Sequence, residues 1–149
     1  MITIKQIKDY KVITDILKEY DELFPRSLSS RIEDLPSYAK KLSKNAIIYC
    51  AYDENKLLGF AAMYANDKIN KKAFLAQIAV NKKYRGLNVG KSLLYKCFEK
   101  SRIEKMKFIE LEVDSTNIKA IKFYEKLGFL KLRESSKDSI QMTKSLSIF

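Results

Sequence analysis

Apolar and polar positions alternate from Met1 to Ile7, which predicts a first strand. Tyr10 to Phe24 carries Val12, Ile13, Ile16, Leu17, Tyr20 and Leu23 at helical spacing, and Pro25 is expected to end that helix. Pro25 to Pro36 is polar, with Arg26, Arg31 and several serines, and reads as a mobile connection. A second helix is expected over Ser37 to Ser43. Ala46 to Tyr52 and Leu57 to Tyr64 read as strands joined by the hairpin turn Asp53-Glu54-Asn55-Lys56. The turn Asn66 to Lys72 leads into a strand over Phe74 to Val80. Beyond it, apolar residues at 93, 94, 97 and 98 mark one face of a helix running from Gly90 or Lys91 to Met106. A strand over Phe108 to Asp114, a helix over Ile118 to Leu127, and strands near Phe129 to Arg133 and Ser139 to Thr143 complete the pattern.

The 149 residues suit one domain, 1–149, long enough to bury about 70% of its unfolded surface. The net charge of +11 invites a nucleic-acid partner. The 29 Lys and Arg are interleaved with 18 acids along the whole chain, however, so a solvated lysine-rich surface is the plainer reading. Such a charge also attracts an anionic small molecule. Two Cys, with no His, make neither a disulfide framework nor a zinc site. Cys50 lies in an apolar run and Cys97 on an apolar helix face, so both read as buried thiols suited to a reducing compartment. Met1 opens no signal peptide, and no apolar run approaches the ~18–20 residues of a membrane span. The protein is expected to be soluble and cytoplasmic, with no membrane partner.

The stretch Val80 to Leu94 organises the chain. A strand passes through a turn with Gly86, Gly90 and several cations into a helix. The unpaired N–H groups and dipole of a helix N-terminus favour an anion, above all phosphate. By itself this is also what a solvated turn looks like. It is no Walker A loop, and the Gly-x-Gly-x-x-Gly of dinucleotide sites is absent.

Ala79-Val80 followed by Arg85-Gly86-Leu87-Asn88-Val89-Gly90 resembles the acyl-CoA loop of the GNAT superfamily of N-acetyltransferases, whose pattern is Gln/Arg-x-x-Gly-x-Gly/Ala. Asn88 stands where glycine is usual, and Asn is the non-glycine residue that best tolerates positive φ. Leu111 to Phe129 is similar to that superfamily's strand–helix segment, with Asn117-x-x-Ala120-x-x-x-Tyr124 and Tyr124-Glu125-Lys126-Leu127-Gly128-Phe129. The resemblance implies an α/β (α+β) fold with a mixed, mostly antiparallel sheet of about seven strands flanked by about four helices. It implies acetyl-CoA as co-substrate and no metal.

Acetyl transfer to an amine needs a base, a polarised carbonyl and an acid for the leaving thiolate. Without His, carboxylates, tyrosines and water remain. Phe108, Glu110, Glu112 and Asp114 share one side of their strand, ordinarily just the solvent side. Glu112 lies 12 residues before Tyr124, as in the ribosomal-protein N-terminal acetyltransferases of the superfamily, so the resemblance makes it the base candidate. Gln77, where other members carry a glutamate, can only orient water or acceptor. Tyr124 is the acid candidate by resemblance and a core tyrosine by pattern alone. Asn117, seven residues earlier on the same face, is a CoA contact by resemblance and a helix N-cap by position. The resemblance further gives Ile78, Ala79 and Val80 to the pantetheine arm and the backbone of Gly86 to Lys91 to the pyrophosphate.

The resemblance implies an N-acetyltransferase working by direct transfer in a ternary complex. The acceptor is left open between a peptide or protein N-terminus and a small amine such as an amino sugar, which the Phe24 to Arg31 segment with Arg26 and Arg31 would hold. A homodimer is compatible with this reading. The alternative is a non-catalytic acyl-CoA-binding or nucleic-acid-binding module on the same fold, supported only by Asn88 and the charge.

Overall fold

The structure is a computed structural model that describes residues 1–21 and 34–147. The elements are β1 (Thr3–Ile7), α1 (Tyr10–Glu19), α2 (Leu35–Asn45), β2 (Ile47–Asp53), β3 (Lys56–Asp67), β4 (Lys72–Val80), a 3-10 turn (Lys82–Tyr84), α3 (Val89–Ile103), β5 (Phe108–Asp114), α4 (Ile118–Lys126), β6 (Leu130–Ser136) and β7 (Ser139–Ser145). Their order is the one expected from the sequence. The seven strands form one mixed sheet in the order β1-β2-β3-β4-β5-β7-β6. Only β4 and β5, of the pairs whose register is given below, run parallel.

The chain divides into two compact units. The first comprises residues 1–63 and 77–97. In it β1 pairs antiparallel with β2, and β2 with β3. The α1 stripe buries Ile13, Ile16 and Leu17, and Tyr20 just beyond the helix is 1% exposed. α1 ends at Glu19, well before Pro25, because Tyr20 leaves helical geometry as the C-cap. The expected continuation to Phe24 and the Pro25 to Pro36 segment with Arg26 and Arg31 lie largely outside the described residues. α2 is longer than expected. Asp34 caps it, accepting from the Ser37 N–H at 3.2 Å, and Pro36 sits in the first turn, where a missing N–H costs nothing. Cys50 and Cys97 are both fully buried, as are Leu93 and Leu94 on the same α3 face.

The second unit comprises residues 64–76 and 98–149, described to 147. β4 and β5 are parallel here, paired from Lys72↔Phe108 to Leu75↔Leu111. β5 pairs antiparallel with β7, and β7 with β6. α3 stops at Ile103 rather than Met106. Lys105 takes φ +63°, its N–H bonds to Arg102 O, and the Met106 N–H reaches back to Ser101 O. That is a Schellman ending with lysine in the left-handed position. The edge strand β6 is exposed at all seven residues and carries two register shifts against β7. Bulges of this kind disrupt the regular ladder that a stray strand would otherwise extend.

Candidate active site

The first set of candidate residues lies along β4, the connector and α3, all within the first unit. Ile78, Ala79 and Val80 end β4, with Ala79 buried and its neighbours half-buried. Gly86 has φ +87° and Asn88 has φ +63°. Asparagine therefore adopts the left-handed geometry that glycine usually supplies, as its short side chain allows. A Cβ on Gly86 would meet nothing within 4 Å, so φ rather than lack of space calls for glycine there. The helix begins at Val89, earlier than expected, because Asn88 O accepts the first helical bond from the Ser92 N–H at 2.9 Å. The N–H groups of Val89, Gly90 and Lys91 precede that bond and form the donor end of the helix. Arg85, Gly86, Leu87 and Asn88 are exposed and Val89 is buried, so the connector is an open loop anchored by one apolar residue. Lys91 is exposed and reaches over the Tyr95 ring, 5.5 Å from its centroid.

Three residues hold the start of this loop, and periodicity did not reveal them. In β3 the pairing with β2 slips between Ala51 and Tyr52, leaving one extra residue at Leu58. A bulge re-aims the backbone. Leu58 O accepts the Asn81 N–H at 2.8 Å and Leu57 O accepts the Tyr20 hydroxyl at 3.2 Å. The next residue, Gly59, is packed against the end of β4, where a Cβ would lie 2.6 Å from Ala79 O and 3.2 Å from Val80 Cα. The available signal was the single glycine inside an apolar strand, a sign of close backbone approach.

The second set lies in the second unit. On β5 the side chains alternate as expected. Ile109, Leu111 and Val113 are buried, while Phe108 and Glu112 are exposed and Glu110 and Asp114 half-buried. Glu110 pairs with Lys72 at 3.5 Å, a structural role consistent with its position beside the first β4–β5 partners. Glu112 faces Gln141 of β7, whose amide oxygen is taken by Arg133 at 2.6 Å. Asn117 is the N-cap of α4, its Oδ1 accepting from the Ala120 N–H at 3.2 Å.

Tyr124 is 8% exposed. Its ring lies 5.5 Å from Phe123 and 5.7 Å, edge-on, from Phe129, which also meets Phe98 at 5.9 Å. The Leu127-Gly128-Phe129 stretch explains this placement. Gly128 takes φ +98°, its N–H bonds to Glu125 O, and the Phe129 N–H bonds to Tyr124 O, both at 3.0 Å. This is a Schellman cap with its usual apolar contact, here between Phe129 and Tyr124. The helix ending that the sequence motif encodes thus fixes the tyrosine ring. Burial pushes the Tyr124 hydroxyl up to about 12. Glu112 and Tyr124 therefore occupy different surroundings, one exposed and one packed among aromatic rings.

Among the described residues no cluster of three or more His, Cys, Asp and Glu could hold a metal. No helix there is long and apolar enough to cross a membrane.

Residues 11–129 match the model of the acetyltransferase (GNAT) family. Streptothricin acetyltransferase A of Bacillus subtilis (strain 168) is 35% identical over 94 residues, covering 63% of this chain and 52% of its own. A Bacillus anthracis str. Ames protein crystallised in complex with acetyl coenzyme A is 34% identical, with a TM-score of 0.62 over 68% of this chain and 62% of that one. The ribosomal-protein-S18-alanine N-acetyltransferase from Escherichia coli has the same fold, at 21% identity and a TM-score of 0.77 over 100% of this chain and 96% of its own. The chain spans about half the length of the curated relatives it matches. With 119 of its 149 residues inside the family model (129 − 11 + 1), and the expected strand–loop–helix in place, the chain belongs to the acetyltransferase (GNAT) family.

Proposed function

We propose that the protein is an acyl-CoA-dependent N-acetyltransferase that moves the acetyl group of acetyl-CoA directly to a primary amine. The observation that carries this is the connector into α3, with left-handed Gly86 and Asn88 ahead of the helix donors. Backbone N–H groups from Gly86 to Lys91 take the pyrophosphate, with the α3 dipole behind them. Arg85 and Lys91 add positive charge, and Ile78, Ala79 and Val80 pair with the pantetheine arm. Asn117, whose Oδ1 is held by its cap, has its amide NH2 left for the cofactor.

In the reaction the amine lone pair attacks the thioester carbonyl. The C–N bond forms, the C–S bond breaks, and the surplus amine proton passes to Glu112 through water. The departing sulfur takes its proton from Tyr124. Burial holds that hydroxyl near 12, above the ~8.5 of an ordinary thiol, so the proton follows C–S cleavage rather than leading it. The tyrosine therefore acts as a hydrogen-bond donor while charge develops on sulfur, and cannot transfer its proton ahead of C–S cleavage.

The 12-residue spacing of Glu112 and Tyr124 favours a peptide or protein N-terminus as acceptor, whose amine near ~8 needs little deprotonation. The streptothricin acetyltransferase relative supports a small amine instead. The buried thiols of Cys50 and Cys97 suit a reducing compartment, which we take to be the cytoplasm.

Two measurements test the reading. Calorimetry of CoA binding should show Gly90→Asp far weaker than the parent, because a carboxylate would stand where phosphate belongs. Equal affinity would remove the loop assignment. Turnover of acetyl-CoA against a panel of amines and peptides should reveal an acceptor. Tight CoA binding with no turnover on any of them would favour a non-catalytic acyl-CoA-binding module.

A further inference from the structure

The β3 bulge joins the end of α1 to the start of the connector through two consecutive carbonyls, Leu57 O and Leu58 O. Tyr20 is the first residue after α1 and is fully packed, its ring 5.5 Å from Phe60. Its hydroxyl donates to Leu57 O at 3.2 Å, and the next carbonyl along, Leu58 O, accepts the Asn81 N–H at 2.8 Å. Asn81 Oδ1 is already occupied, accepting the Lys83 N–H at 3.0 Å. The Asn81 backbone is engaged on both sides: its N–H donates to Leu58 O, and its carbonyl accepts the Tyr84 N–H at 2.9 Å. One residue thus anchors β3, terminates β4 and folds the 3-10 turn that leads into Gly86.

We propose that Tyr20 is a positioning residue for the cofactor loop, acting through Asn81. Without the hydroxyl, Leu57 O loses its partner and the bulge that presents Leu58 O to the Asn81 N–H loosens. Asn81 is then held less firmly, its Oδ1 bond to the Lys83 N–H weakens, and the turn that aims Arg85 to Lys91 loosens. Burial keeps the phenol neutral far above working pH, so the link holds throughout that range. Tyr20 touches neither cofactor nor acceptor in this scheme. The inference rests on the reading of the Gly86 to Lys91 loop as the cofactor site.

The test compares the parent with Tyr20→Phe, which keeps the ring against Phe60 and removes only the oxygen. CoA affinity is measured by calorimetry, kcat and KM at saturating acceptor, and Lys83 amide exchange by NMR without ligand. We expect CoA affinity to fall about 3- to 10-fold, the weight of one ordinary hydrogen bond. The KM for acetyl-CoA should rise equally while kcat stays within twofold, and the Lys83 amide should exchange faster. A merely structural role would lower global stability without separating KM from kcat. Unchanged affinity and unchanged Lys83 exchange overturn the proposal. If Tyr20→Phe does not fold, Asn81→Ala loosens the same turn at a half-buried position by removing the acceptor of the Lys83 N–H, and normal CoA affinity in that variant also overturns the proposal. A parent that binds no CoA overturns the cofactor reading itself and this inference with it, an outcome distinct from a parent that binds and a variant that binds equally well.

Discussion

Gly59 and Ala79 are packed so closely that a Cβ on the glycine would lie 2.6 Å from the alanine carbonyl oxygen. No flexible side-chain tip can yield there, because the obstacle is backbone at the end of β4. Gly59→Ala should destabilise the protein by about 1–3 kcal/mol, the usual range for overpacking. It should also weaken CoA binding, since Ala79 and Val80 would have to move. Thermal melts and calorimetry on the same preparation check both; an unchanged melting temperature would show that the strand end yields freely.

Asn88 holds φ +63°, so replacements should rank by their tolerance of that geometry. Asn88→Gly should bind CoA as well as the parent or better. Asn88→Ala should lose on the order of 1 kcal/mol of stability, and Asn88→Val more, as the β-branch crowds the left-handed backbone. A flat series would mean that the loop rearranges around position 88.

Glu112 stands exposed on β5, with room for water beside its carboxylate. Glu112→Gln keeps the shape and removes the proton acceptor. Its turnover should fall most at low pH, where the acceptor amine is protonated and deprotonation limits the rate. A pH–rate profile parallel to that of the parent would leave bulk water as the base.

Tyr124→Phe retains the ring contacts with Phe123 and Phe129. Fold and CoA affinity should survive while kcat falls by roughly 10²–10⁴. The sign of the pH effect follows from burial. A hydroxyl near 12 remains protonated across any working range, so the deficit should be constant between pH 6 and 10. A deficit that vanished on the alkaline side of that range would assign the acid role to another group.

Alkaline stability follows from the same burial. Tyr124, Cys50 and Cys97 are each pushed up to about 12, and Tyr20 is raised as well. A group whose folded pKa is raised contributes its full stability below the unfolded value and loses it as pH climbs through the folded one. The unfolded thiols ionise from about 8.5 and the unfolded phenols from about 10. Stability should therefore begin to fall above about pH 9 and continue to about 12, by roughly 1.4 kcal/mol per pH unit for each group. Urea midpoints at pH 8 and pH 11 measure it, and Tyr124→Phe should lose less than the parent over that interval.

The element order and the packed faces were legible because period and polarity report burial directly: Leu93, Leu94, Cys97 and Phe98 are all buried, and β5 alternates as its sequence does. Boundaries were less legible. The α3 start depends on Asn88 O and its end on Lys105 in a left-handed conformation, neither of which periodicity encodes. The expected α2 missed its first turn because Pro36 reads as a breaker until Asp34 is seen to cap it. In the candidate site, the Asn117 cap and the Gly128 turn were visible as motifs. The link from Tyr20 to Asn81 was not, because it joins positions 61 residues apart (81 − 20) through the carbonyls of a bulge that no local pattern announces.

The sealed thiols have a consequence for how activity can be followed. Cys50 and Cys97 are completely buried, and burial holds both in the unreactive protonated form. A colorimetric disulfide reagent added to a working mixture would meet only the sulfur released from acetyl-CoA, so the native protein contributes no background and the signal counts product. In denaturant the same reagent would count two protein sulfurs per chain, and its labelling rate would become a clock for opening of the core.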